Sequence, residues 1–289
     1  MKGLLNLKSL TITQVQSILS LAAKFKSGYS FSFLGKRIAT LFFENSTRTK
    51  NSFLMAMLKL GIDYVDVNVS TSSVNKGESL YDTVKTLEAI GFDSVVIRHS
   101  LNRYYDELEN INIPILNAGD GSGDHPTQSL LDLFTIYEEF GHFDGLNVCI
   151  VGDICHSRVA HTNAEIMKRL GMNVSICGPD CFLDQTAKKV SFKDAIKNSD
   201  VVMLLRVQFE RNANLDITKD EYNRLYGLDL DKVNQMKSKS IIMHPAPVNR
   251  GIELTDDVVE CSKSRIFKQM ENGVYVRMAV IYKALMGEL

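Results

Sequence analysis

The sequence predicts an α/β protein of two domains, each a parallel β-sheet flanked by helices. Three observations carry this. Short apolar runs rich in β-branched residues alternate with runs of helical spacing from end to end. Turn residues, Gly61 and Gly171 among them, punctuate the alternation. The length, 289 residues, suits two ordinary domains, and 45% hydrophobic against 23% charged content lets both build buried cores.

In chain order, "KRIATLFF" (36–43) reads as a buried strand, "TRTKNSFLMAMLKL" (47–60) as a helix stopped by Gly61, and "DYVDVNV" (63–69) as the next strand. "DSVVIRH" (93–99) and "IPILNAG" (113–119) are short strands. "HPTQSLLDLFTIYEEF" (125–140) has apolar residues at helical spacing, with Pro126 suited to a first helical turn. A second unit opens with the strand "LNVCIVGD" (146–153), the helix "SRVAHTNAEIMKRL" (157–170), Gly171 as its stop, and the strand "NVSICG" (173–178). "SDVVMLLR" (199–206) and "KSIIMHP" (239–245) add strands, and "GVYVRMAVIYKALMGEL" closes the chain as a helix. The stretch 212–233 reads as a mobile polar segment, a candidate for closing on a ligand. The best divide falls near 140, giving domains 1–140, completed by the C-terminal helix 274–289, and 141–273.

Parallel sheets collect ligands at the carboxyl ends of their strands, and two such halves imply an active site in the cleft between them. Arg48, Arg98, His125, Asp153, Arg206 and His244 all fall at strand ends or helix starts. A net charge of -1 gives no basic excess for nucleic acid or an anionic membrane surface. No apolar run has the ~20 residues needed to span a bilayer, and the N-terminus lacks a secretory pattern. The five scattered cysteines suit reduced thiols in a cytoplasmic protein. "CGPDC" (177–181) has no second Cys/His pair at ligand spacing, so no metal is expected.

"LFFENSTRTKNSF" (41–53) packs Ser46, Thr47, Arg48 and Thr49 into a strand-to-helix turn. A helix N-terminus presents unpaired N–H groups and partial positive charge; hydroxyls and a guanidinium fork add donors that suit a phosphate. An N-cap serine beside a solvated arginine fits the same letters, although a cap needs one hydroxyl and this turn has three.

"FFENSTRTK" resembles the carbamoyl-phosphate signature of the aspartate and ornithine transcarbamylases. "SSVNKGES" (72–79), "VIRH" (96–99), "HPTQ" (125–128), "SRVA" (157–160), "LLRVQFER" (204–211), "HPAPVNRG" (244–251) and "FKQMENGVYVRMAV" (267–280) are similar to further blocks of that family, in its order. The resemblance spans essentially the whole chain. It implies transfer of a carbamoyl group from carbamoyl phosphate to an amine, without cofactor or metal, by an N-terminal carbamoyl-phosphate domain and a C-terminal amino-acid domain. It places Ser46, Thr47, Arg48 and Thr49 on the phosphate. Thr49, Arg98 and His125 go to the carbonyl oxygen, and Gln128 to the carbamoyl amide. It also implies that Ser72 and Lys76 reach into a neighbouring subunit's site, making the enzyme a homotrimer with shared active sites. Read without the family, "SSVNKGES" is a polar loop with a solvated lysine, and His125 a helix-capping histidine.

Aspartate carries two carboxylates, so an aspartate site needs several cationic forks. By the resemblance these are Arg158 and Arg206, helped by Gln208 and Lys76. Backbone groups of Pro245, Ala246 and Pro247 face the amino and carbamoyl groups, and the bond before Pro247 is expected to be cis. Ornithine-type members usually carry "HCLP" where this chain has "HPAP". With "RVQ", that points to L-aspartate as acceptor, N-carbamoyl-L-aspartate as product, and an early step of de novo pyrimidine biosynthesis. Assembly beyond the trimer, including a regulatory chain, is left open by the sequence.

Two letters depart from the family pattern. Lys50 stands where many relatives carry a second arginine, and Leu54 where they often carry glutamate, so ion pairing behind the phosphate helix is expected to differ. A nicotinamide-dependent dehydrogenase is disfavoured because "CIVGDICHSR" has Gly152 but no G-x-G-x-x-G. A transcarbamylase for another amine and a non-catalytic scaffold homologue remain as alternatives.

Overall fold

The computed structural model describes residues 2–69, 77–207, 209 and 217–289. Ser72, Lys76, Gln208 and part of the 212–233 stretch lie outside the described residues. The chain divides into two compact units, Met1–Phe134 with Met270–Leu289, and Thr135–Gln269. This division falls inside the helix at 126–140.

The first unit contains β1 (Gly3–Leu4), α1 (Ile12–Lys26), β2 (Arg37–Phe42), α2 (Thr47–Lys59), β3 (Asp63–Val67), α3 (Leu80–Ala89), β4 (Ser94–His99), β5 (Ile115–Asp120), α4 (Pro126–Phe140) as far as Phe134, and the larger part of the last helix. Its sheet runs β1-β5-β4-β2-β3, all parallel. The near-continuous apolar letters of β2 and β4 follow from burial on both faces. Ala39, Leu41, Val95 and Ile97, two apart along each strand, join Val84, Leu87 and Leu108 in one core, while Ile38, Thr40 and Val96 are buried on the opposite face. Gly61, at φ +63, ends α2 where a side chain would be strained.

The second unit contains β6 (Asn147–Val151), α5 (Arg158–Arg169), β7 (Asn173–Cys177), β8 (Lys188–Lys189), α6 (Phe192–Asn198), β9 (Val201–Leu204), α7 (Lys219–Tyr226), α8 (Leu230–Val233), β10 (Ile241–Met243), α9 (Asp256–Val259) and the opening of α10 (Ile266–Leu285). Its sheet runs β10-β9-β6-β7-β8, again all parallel. Strands β9 and β10 are wholly buried.

Three expectations need correction. The "SDVVMLLR" strand is shorter than read, ending at Leu204 and leaving Arg206 beyond it. Within the polar segment, 219–226 and 230–233 are helical. Thr218 and Glu221 form a reciprocal capping box at the start of α7, and Tyr222 is fully buried. The last helix starts at Ile266, well before Gly273. Gly273 is an interior residue of that helix: a Cβ there would sit 2.5 Å from a guanidinium nitrogen of Arg277.

Arg277 explains that glycine. It is 2% exposed, donates to the Gly273 carbonyl (3.0 Å) and the Thr127 hydroxyl (3.2 Å), and lies over the Phe53 ring at 5.1 Å. One cation thus braces α2 and the start of α4, the helices whose N-termini carry the first-unit motifs. Burial pushes its guanidinium down to about 9, against the opposing pull of Asp132. Arg277→Ala removes the brace and strips buried Asp132 of its cation, so a loss of ~3–5 kcal/mol is expected. Thermal unfolding followed by circular dichroism checks this, and an unchanged midpoint would contradict the bracing role.

Candidate active site

In the first unit the chain leaves β2 for β3 on one side of the sheet, while β4, β5 and β1 lie on the other. The carboxyl ends of β2 and β4 therefore flank a topological switch point, where parallel sheets open a crevice. The two ends are in register, Phe42 opposite Arg98.

Beyond β2 come Ser46 to Thr49. Ser46 occupies the N-cap position of α2 with extended backbone, yet its side chain makes no capping hydrogen bond. The plain capping explanation for that serine therefore fails. No acidic residue sits in the first turn of α2, so nothing there offsets the positive end of the helix. Arg98, at the end of β4, places Nε 3.3 Å from Glu44 Oε2 and donates from Nη1 to the Ala118 carbonyl at 3.3 Å.

His125 is 5% exposed and stands at the head of α4, its carbonyl accepting the amides of Gln128 and Ser129. Its Nε2 lies 3.4 Å from Thr49 Oγ1. Two sequence blocks 76 residues apart thus meet at the starts of two helices. Gln128 donates from Nε2 to Asp132 at 2.9 Å, which assigns its amide and leaves the carbonyl oxygen as its acceptor end. The loop that delivers His125 is shaped by buried Asp120, which accepts from Arg103 N (2.7 Å), Asp124 N (2.8 Å) and Asn117 Nδ2 (3.0 Å).

Behind α2, Lys50 pairs with Asp66 on β3, and Thr40 donates to the same carboxylate at 2.8 Å. Lys50 therefore carries an ion pair behind the phosphate helix. Half-buried Leu54 offers no charge.

The second unit repeats the logic. Strands β7 and β8 extend from β6 on one side, and β9 and β10 on the other, so the switch point lies at the ends of β6 and β9. Ser157 caps α5 by accepting from Ala160 N, and Arg158 is its first helical residue. Asp153, buried at the end of β6, holds His156 Nδ1 at 2.9 Å. Arg206 follows β9. After β10, the Ala246–Pro247 peptide is cis, and Ala246 has φ +56. The Ala246 amide donates to His244 Nδ1 at 2.8 Å, which puts the proton of a neutral His244 on Nε2. Of the two cysteines in "CGPDC", Cys177 is buried, with its thiol pushed up to about 12 by burial, and Cys181 is exposed.

Residues 2–138 match the family model described as aspartate/ornithine carbamoyltransferase, carbamoyl-P binding domain, and residues 144–284 match the Asp/Orn binding domain of the same family. The chain belongs to the aspartate/ornithine carbamoyltransferase family. It is 53% identical over 295 residues to the aspartate carbamoyltransferase catalytic subunit of Staphylococcus saprophyticus subsp. saprophyticus, covering 100% of this chain and 98% of that one. Aspartate transcarbamoylase from Trypanosoma cruzi, solved with carbamoyl aspartate and phosphate, has a TM-score of 0.88 at 30% identity, over 98% of this chain and 95% of that one. The same protein with N-(phosphonacetyl)-L-aspartic acid gives 0.86 at 30% identity, with 98% and 95% covered.

Within this carbamoyltransferase fold, sequence reading missed Glu44, Asp120 and Arg277. Glu44 was visible inside "FFEN" but carried no reason to face Arg98 until β2 and β4 were seen as neighbours. Asp120 and Arg277 act through contacts distant in sequence, which no local pattern reveals.

Proposed function

We propose that the chain transfers the carbamoyl group of carbamoyl phosphate to the amine of L-aspartate, releasing N-carbamoyl-L-aspartate and phosphate as an early step of de novo pyrimidine biosynthesis in the cytoplasm. The observation that carries this reading is the meeting of Thr49 and His125 at 3.4 Å, which unites two donor-bearing helix N-termini in the first unit.

The chemistry assigns the donors. The amine attacks the carbamoyl carbon, negative charge grows on the carbonyl oxygen, and the bond from carbon to the bridging oxygen breaks with its electrons going to phosphate. Ser46, Thr47, Arg48 and Thr49 hold the phosphate through hydroxyls, the guanidinium and the α2 N-terminus. Thr49, Arg98 and neutral His125 donate to the carbonyl oxygen, where preorganised donors lower the barrier most. The Gln128 carbonyl oxygen accepts from the carbamoyl NH₂. Arg158, Arg206 and Gln208 take the two carboxylates of aspartate, and carbonyls of the 245–247 turn take its amine. The departing phosphate receives the amine proton. Ser72 and Lys76 complete a neighbouring subunit's site, so the working form is a homotrimer. Neither metal nor cofactor has a step in this scheme.

N-(phosphonacetyl)-L-aspartic acid, which joins an analogue of one reactant to the other, tests whether both donor sets serve one reaction. Arg48→Ala and Arg206→Ala are each expected to weaken its binding by about 100-fold or more, as loss of a charged donor pair costs ~2–5 kcal/mol. Titration calorimetry measures this. Unchanged affinity in Arg206→Ala would remove the second unit from the proposal.

A further inference from the structure

Glu253 has no place in the scheme above, yet it is a fully buried carboxylate that accepts three hydrogen bonds. Its side chain is 0% exposed. Oε1 accepts from Val207 N at 2.8 Å and from Asn249 Nδ2 at 2.9 Å; Oε2 accepts from Asn249 N at 2.7 Å. His244 Nε2, the protonated nitrogen, lies 3.9 Å from Oε2. Asn249 also donates to the Val207 carbonyl at 3.0 Å.

The donors come from two different segments. Val207 directly follows Arg206, beyond the end of β9. His244 and Asn249 bracket the Ala246–Pro247 turn after β10, the parallel neighbour of β9. Each segment has left its sheet and lost the ladder that would fix its path. A buried carboxylate that accepts main-chain N–H groups from both supplies the missing restraint. Left with no such acceptor, the buried Val207 amide would be an unsatisfied donor costing about 1–3 kcal/mol, and the partly buried Asn249 amide would lose its partner too.

We infer that Glu253 is a positioning residue for the amino-acid acceptor: it locks the Arg206 segment to the 244–249 turn, so that a guanidinium for a carboxylate and carbonyls for an amine are presented at a fixed separation. The inference rests on the acceptor roles proposed above for Arg206 and Ala246. Glu253 itself touches no substrate. Burial pushes its carboxyl up to about 7, while the three donated N–H groups favour the anion.

Glu253→Gln keeps shape and one acceptor oxygen but turns an NH₂ towards an N–H donor, so one segment is released. Steady-state kinetics at a pH above 7 should then show KM for L-aspartate raised by about 10- to 100-fold, the scale set by misplacing binding groups by about an ångström. KM for carbamoyl phosphate should stay within about twofold, because its donors lie in the other unit. Glu253→Asp, which keeps the charge on a shorter arm, should fall between wild type and Gln. An unchanged aspartate KM in a folded Gln variant would overturn the inference. So would equal losses for both substrates, which are what a purely structural role produces. If the Gln variant does not fold, Asn249→Ala removes the donor shared by the two segments, and an aspartate KM unchanged there overturns the inference as well. Wild-type enzyme that fails to carbamoylate aspartate would overturn the acceptor reading itself, and that failure appears before any substitution is made.

Discussion

Arg48→Ala lowers kcat/KM for carbamoyl transfer by about 10³-fold or more, the largest effect expected of any single change. The side chain supplies a charged, two-pronged donor at the N-terminus of α2, where no acidic residue sits in the first turn. The loss combines ground-state affinity for carbamoyl phosphate with stabilisation of the phosphate as charge accumulates on it. Removing one well-aimed donor to a developing oxyanion costs about 10²–10³ alone, and the missing charge adds to that. Arg48→Lys restores the charge without the fork and should recover only part of the loss. Steady-state kinetics with carbamoyl phosphate as the varied substrate makes the measurement; a loss under about tenfold would place the phosphate elsewhere.

His125→Ala comes second, lowering kcat by about 10²–10³-fold with little change in aspartate KM. The imidazole is buried beside Thr49 at the head of α4, where it can donate to the carbonyl oxygen and is poorly placed to be replaced by bulk water. An effect confined to kcat is the signature of an interaction made in the transition state only. A matching rise in carbamoyl phosphate KM with kcat preserved would instead assign His125 to ground-state binding.

The two residues also show what a sequence can carry. Strand β4, helix α2 and the switch from one parallel sheet to the next were legible because apolar periodicity and turn residues are local signals. The motif residues were legible because their chemistry is unusual for a turn, three hydroxyls around Arg48 being more than a cap requires. Three kinds of information were not. The helix at 219–226 was read as a polar mobile segment because its apolar content is low, and the Thr218–Glu221 capping box that starts it went unnoticed. Helix α10 begins at Ile266, seven residues before the stretch that reads as a helix, and Gly273 inside it admits Arg277. Glu253 looked like one acidic residue among many, since its three donors come from residues up to 46 positions away. Ion pairing behind the phosphate helix was expected to differ from the family pattern, and Lys50 with Asp66 is the pair this chain uses.

The central claim is that this chain moves a carbamoyl group onto aspartate, and the direct measurement is a carbamoyl-transfer assay offering L-aspartate and L-ornithine to the same purified enzyme. The account predicts N-carbamoyl-L-aspartate and an equal amount of phosphate, no carbamoylated ornithine, and loss of the product in Arg48→Ala. Transfer to ornithine in place of aspartate, or no transfer to either by folded protein, would contradict it.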